Sequence, residues 1–226
     1  MTALVLVHGL WADGSAWSET LTELRALGHE PVAAQLPLES MEGDIAAVRR
    51  VLSTVDGPVV LVGWSYGGAV ITNAAVGQDQ VEVLSYIAAF APEQGESVRD
   101  IAHRRPGSLL PEHLKVTDDG HSYLDRSAYG AVVAADAPAE RTTLAAAVQK
   151  FPRLGIDSAP SGVPAWRTVP SHYLVAAQDR ALPAATQREM AARMGARTTE
   201  WDTGHGPMYA RPKELAVYLD SLTSGR

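Results

Sequence analysis

Val59-Val60-Leu61-Val62-Gly63-Trp64-Ser65-Tyr66-Gly67-Gly68 is the stretch on which the fold turns. Its first four residues are apolar and mostly β-branched, which predicts a buried strand, and the run Ala69 to Ala75 is compatible with a helix. Between them stands Gly-x-Ser-x-Gly, the pattern of a nucleophile elbow: a sharp strand-to-helix turn that projects its serine. Glycines at Gly63 and Gly67 remove the Cβ atoms that would crowd such a turn. Ser65 then stands at a helix N-terminus, where unpaired N–H groups and the helix dipole favour negative charge. Ser65 is therefore the candidate nucleophile. A plain structural turn is the competing reading.

Upstream, Ala3 to Val7 reads as a buried strand ending at His8-Gly9, followed by the loop Leu10-Trp11-Ala12-Asp13-Gly14. Trp17, Leu21 and Leu24 recur at helical spacing behind Ser15 as N-cap, and Gly28 closes that helix. Pro31 to Ala34 is a short strand. Ile45, Val48, Leu52 and Val55 form the apolar stripe of a second helix, and Val81 to Phe90 is a further buried strand. Strand and helix alternate throughout, which predicts a parallel sheet wrapped by helices.

After Ala91-Pro92 the rhythm breaks. From about residue 93 to 170 there are helix patches such as Thr142 to Phe151, several prolines and no clear strand. A structureless loop of that length is improbable, so the segment is expected to be a cap inserted into one domain spanning 1–226. The alternation resumes with a strand at His172 to Ala177, a helix at Ala184 to Met194 and a strand at Ala196 to Trp201. A closing helix begins at Pro212, a residue suited to the first helical position.

Composition bounds the function. The 226 residues suffice for one α/β domain with a full core, and a net charge of -7 argues against a nucleic-acid surface. With no cysteine there is no disulfide, thiolate metal site or cysteine nucleophile. No run is long enough for a membrane span, and Met1-Thr2 leads straight into a strand without a signal-peptide pattern, so a soluble, cytoplasmic protein is expected. None of the histidines has the spacing of a helical zinc site, and no cofactor is expected.

A serine hydroxyl needs an imidazole to take its proton, and the imidazole needs a carboxylate to fix its tautomer. Asp179, in Gln178-Asp179-Arg180-Ala181-Leu182-Pro183, follows one strand; its competing role is a turn or N-cap aspartate. Glu93 is the alternative acid. His205, in Thr203-Gly204-His205-Gly206-Pro207, follows the last strand, with glycines on either side. His8 lies upstream of the serine and reads as a structural residue shaping its loop. Two fixed N–H donors are needed for an oxyanion. The positions predict the Tyr66 N–H and the Leu10 N–H, with Trp11 as the alternate to Leu10.

His8-Gly9-Leu10-Trp11, Gly63-Trp64-Ser65-Tyr66-Gly67-Gly68-Ala69, Ala89-Phe90-Ala91-Pro92 and Gln178 to Pro183 together resemble the α/β-hydrolase superfamily. Within it they are similar to small bacterial esterases related to plant methyl esterases and hydroxynitrile lyases. The resemblance covers almost the whole chain apart from the cap. It implies the α/β-hydrolase fold: a mostly parallel six-stranded sheet with helices on both faces and a small, mainly helical cap. It also implies the triad order Ser65, Asp179, His205. Trp64 departs from the pattern, since that position is usually histidine in the group. Gly9 and Gly206 depart from the plant-type lyases, which carry threonine and lysine there, so a leaving cyanide has no evident stabiliser.

The expected activity is that of a carboxylesterase acting on a small, largely apolar ester through an acyl-enzyme. The rivals are a non-hydrolytic enzyme of the same fold (a C–C lyase or cyclase) and a binding module with a vestigial triad. Trp11, Tyr123, Tyr129, Phe151 and Trp166 are the large side chains available to line the site. The partner is a small-molecule ester, with neither nucleic acid nor membrane, and the oligomeric state is left open.

Overall fold

The computed structural model describes residues 2–223. In chain order its first half runs β1 (Ala3–Val7), α1 (Ser18–Ala26), β2 (Val32–Ala34), α2 (Met41–Leu52), β3 (Val59–Trp64), α3 (Tyr66–Ala74) and β4 (Val81–Ile87). An inserted segment follows, with α4 (Val98–Ala102), α5 (Leu110–His113), β5 (Leu114–Val116), β6 (Ser122–Leu124), α6 (Tyr129–Val133) and α7 (Ala139–Val148). β7 (Ser171–Ala176), α8 (Ala184–Met194), β8 (Arg197–Trp201), α9 (Pro207–Ala210) and α10 (Pro212–Ser221) complete the chain.

Six strands form one sheet in the order β2-β1-β3-β4-β7-β8. Every pairing is parallel, so the sheet is parallel throughout. The β1–β3 register sets Val5 opposite Leu61 and Val7 opposite Gly63, which brings the end of β1 beside the elbow. The pleat then sorts side chains between two cores. Val5, Val7, Val59 and Leu61 join α2, α3 and α8 on one face. Leu4, Leu6, Val60, Val62 and Trp64 join α1 and α10 on the other. Central strands flanked by helices on both sides can be apolar at every position, and these are.

Two local expectations are corrected. The first helix is entered through a 3₁₀ turn, Gly14–Trp17, capped by Asp13 rather than Ser15: the Asp13 carboxylate accepts from Ser15 N at 2.8 Å. The inserted segment also contains an antiparallel strand pair, β5 with β6, where no strand was expected. Three-residue strands are too short for alternation to register as a pattern. They are joined by a turn in which Thr117 Oγ1 accepts from His121 N at 3.0 Å.

Hydrogen bonds seat the insertion over the C-terminal ends of the strands. Trp11 Nε1, after β1, donates to Ser122 Oγ at 3.2 Å, and Arg153 N donates to the Leu38 carbonyl, after β2, at 2.8 Å. Ser108 Oγ donates to the Ala181 carbonyl, after β7, at 2.7 Å. Gly204 N, after β8, donates to Asp136 Oδ1 at 3.1 Å. Loops that can supply chemistry lie at this end of a parallel sheet.

Candidate active site

Ser65 joins β3 to α3 at φ 55° and ψ −124°, a backbone conformation that a non-glycine residue holds only under constraint. The constraint is visible. The Ser65 carbonyl accepts from Gly68 N and from Phe90 N, both at 3.0 Å, which fixes the turn to its own helix and to the chain beyond β4. A Cβ at Gly67 would lie 2.6 Å from the Val7 carbonyl oxygen and 2.7 Å from that of His8, so only glycine lets α3 start against the end of β1. The Ser65 side chain remains partly accessible while the rest of the elbow is buried.

His205 and Asp179 meet. His205 Nδ1 lies 2.6 Å from Asp179 Oδ2, with both side chains almost wholly buried. Asp179 Oδ1 accepts from Ala181 N at 2.7 Å and from Leu182 N at 2.8 Å. Gln187 Nε2 donates to Oδ2 at 2.7 Å. Four donors thus surround one buried carboxylate and fix its orientation. With Nδ1 serving as donor, Nε2 of His205 is the nitrogen left to accept a proton. The structure has no hydrogen bond between Ser65 Oγ and His205 Nε2. The His205 loop is brought against the elbow through Trp64, next to Ser65 in the chain, whose ring lies 5.5 Å from the imidazole.

The N–H groups of Leu10, Trp11 and Tyr66 make no hydrogen bond among the described residues. Both sides of this region are braced. The Tyr66 hydroxyl donates to Asp44 Oδ2 at 2.8 Å, and Asp44 Oδ1 accepts from Leu38 N at 2.8 Å. Burial pushes the Asp44 carboxyl upward against the opposing pull of those hydrogen bonds, and it pushes the Tyr66 phenol upward as well. On the other side His8 is fully buried and accepts from Leu36 N through Nε2 at 3.0 Å. Its Nδ1–H therefore faces the Gly9 carbonyl at 2.9 Å, and burial lowers its pKa to about 4. His8 is neutral and structural.

Four of the five expected lining residues fall in two pairs, and Trp166 stands apart. Trp11, at φ 53°, is held to the insertion through Ser122, and its carbonyl accepts from the buried Tyr129 hydroxyl at 3.1 Å. Tyr123 follows Ser122 in β6 and packs on Phe151 with ring centroids 5.3 Å apart; Phe151 is itself exposed. Trp166 belongs to the other core cluster, and its Nε1 donates to the Pro92 carbonyl at 3.1 Å. Glu93 is paired at the surface with Arg167 at 2.6 Å, away from the His205 imidazole, whose carboxylate partner is Asp179.

Sequence reasoning missed Gln187 and Asp44. Each is a polar residue on the buried side of its helix, at 0% exposure. Gln187 stands among Thr186, Met190 and Ala191, and Asp44 among Met41, Ala47 and Val48. A polar residue in register with an apolar stripe was the available signal.

Among proteins of known activity, a carbendazim hydrolyzing esterase from Nocardioides sp. (strain SG-4G) is 34% identical over 126 residues. That match spans 50% of this chain and only 50% of the relative's length. The crystal structure of a pyrethroid hydrolase from Sphingobium faniae JZ-2 superposes with a TM-score of 0.83 at 22% identity, covering 99% of this chain and 98% of that one. Polyneuridine aldehyde esterase gives a TM-score of 0.86 at 18% identity, covering 99% and 100%. At such identities the likeness is one of fold. The family model described as the alpha/beta hydrolase family matches residues 4–217, nearly the whole of the chain, and the chain belongs to that family.

Proposed function

We propose that the protein is a serine esterase in which Ser65 attacks, His205 shuttles the proton and Asp179 holds His205 in the required tautomer. The reading rests above all on the 2.6 Å contact between His205 Nδ1 and Asp179 Oδ2, and is supported by the constrained backbone of Ser65. His205 Nε2 takes the proton as Ser65 Oγ adds to the ester carbonyl. The Leu10 and Tyr66 N–H groups receive the oxyanion, each worth about 3 kcal/mol in the transition state. Collapse expels the alcohol, which takes the proton from His205. Water, deprotonated by the same imidazole, then releases the acid and restores Ser65. The inserted segment acts as the roof that selects a small, largely apolar ester. The substrate is a small molecule, and no step calls for a metal or an organic cofactor.

The test is a panel of p-nitrophenyl esters graded by acyl length, extended to carbendazim and a pyrethroid because the similar proteins are named for them. Ser65→Ala is expected to lower turnover by about 10⁴-fold or more. Near-full activity in that variant would overturn the assignment.

A further inference from the structure

We propose that Trp64 is a positioning residue for His205, an inference that rests on the esterase reading above. Trp64 is the last residue of β3 and points to the same core as Val60 and Val62. There it meets Trp17 edge-on at 6.5 Å and Tyr209 edge-on at 6.0 Å, and it is 2% exposed. Two aromatic neighbours at right angles leave the indole one orientation. In it, Nε1 donates to the His205 carbonyl at 2.7 Å.

That bond fills a gap in how the base is held. His205 stands between Gly204 and Gly206, which give its loop a soft backbone. Asp179 fixes the imidazole ring but not the main chain that carries it. Among the described residues, the indole N–H makes the only hydrogen bond to the His205 backbone. The donor belongs to the residue directly before Ser65, so one rigid side chain sets the span between nucleophile and base. The indole also lies 5.5 Å from the imidazole, inclined at 45°, and limits how far that ring can swing. Asp179 thus selects the tautomer, and Trp64 selects the place.

The experiment uses the rate at which a fluorophosphonate labels Ser65, which needs no knowledge of the natural ester. Two variants are compared with the unsubstituted protein: Trp64→Phe, which keeps an aromatic ring, and replacement of Trp64 by 3-benzothienylalanine, which keeps the shape of indole but lacks the N–H. Labelling is expected to slow about tenfold in both, the scale of one buried hydrogen bond. The melting temperature of the sulfur analogue should stay within a few degrees. In proton NMR, the downfield resonance of the His205 Nδ1–H should broaden or move upfield in that analogue. A role confined to packing would leave both readouts of the analogue unchanged. Labelling within twofold of the unsubstituted protein in the analogue overturns the role of Trp64. Failure of the unsubstituted protein to label overturns the esterase reading and this inference with it.

Discussion

Around Ser65 the chain is buried on every side: all six residues of β3 and most of α3 are closed off from solvent. In the segment laid across the strand ends, Val116, Leu144, Val148, Phe151 and Leu154 remain exposed, and the elements are three to ten residues long. The elbow region is made of consecutive residues whose backbone is fixed by the sheet. The insertion is held by one or two hydrogen bonds from each of several loops and by residues such as Leu124 and Val132 that pack onto one core. The first arrangement suits chemistry, where small displacements are costly, and the second suits selection, where side chains can be exchanged without disturbing the sheet. Substitutions on the elbow side should therefore cost far more than substitutions on the roof side.

The largest effect is expected from Asp179→Asn. Ala181 N and Leu182 N both need an acceptor, so the amide oxygen takes the Oδ1 position and the NH₂ group faces His205 Nδ1 and Gln187 Nε2. His205 is then driven to the tautomer protonated at Nε2, which cannot accept from Ser65. Turnover should fall by about 10⁴ with the fold intact, since the geometry survives and only the proton is misplaced. A drop smaller than tenfold in steady-state kinetics would reopen the assignment of the acid to Glu93.

Gln187→Leu comes next and probes the support behind Asp179. Gln187 Oε1 accepts from Ala176 N at 2.9 Å, and Nε2 donates both to Asp179 and to the Leu182 carbonyl. Leucine leaves a buried N–H and a buried carbonyl unpaired, at about 1–3 kcal/mol each. Urea unfolding should register a loss of about 3 kcal/mol, with turnover lowered about tenfold. If stability falls and turnover does not, Gln187 is a structural residue only.

His8 offers a comparison in pH rather than in sequence. Its pKa falls from 6.5 to about 4 on burial, so between those values the unfolded chain binds a proton that the folded chain refuses. Stability is complete above pH 6.5 and is lost as pH falls through the window, by roughly 3 kcal/mol at 1.36 kcal/mol per unit. Asp44 works in the opposite sense: its raised pKa makes the folded form the better proton acceptor just above 3.8. His8→Asn isolates the first contribution. Urea midpoints at pH 7 and pH 4.5 should lie closer together in the variant than in the parent, and equal separation would show that His8 titrates elsewhere.

The same contrast explains what could be read from the sequence. β1, β3 and the elbow announce themselves because each is a contiguous run with one environment, and Asp179 and His205 follow strands that can be recognised one by one. Gln187 and Asp44 escaped because their meaning lies in partners distant in the chain, such as Asp179 and Tyr66. β5 and β6 escaped because three residues do not make a period. Trp64 was legible as a departure from the family pattern. That its indole would reach a carbonyl 141 positions away was not.

The smallest effect is expected on the roof. Ser122 Oγ is the acceptor for Trp11 Nε1 at 3.2 Å, a partly buried contact at ordinary length between the insertion and the loop that carries the Leu10 N–H. Ser122→Ala removes that acceptor but leaves Tyr129 bonded to the Trp11 carbonyl, so the loop keeps one of its two ties. One neutral hydrogen bond is worth about 1 kcal/mol. Its loss should appear as a change of about threefold in KM, varying with acyl length, while kcat for the shortest ester stays within twofold. If kcat fell as steeply as in the Gln187 variant, the Trp11 loop would have to be counted with the elbow: part of the machinery that fixes the oxyanion donors, not part of the cover that selects the ester.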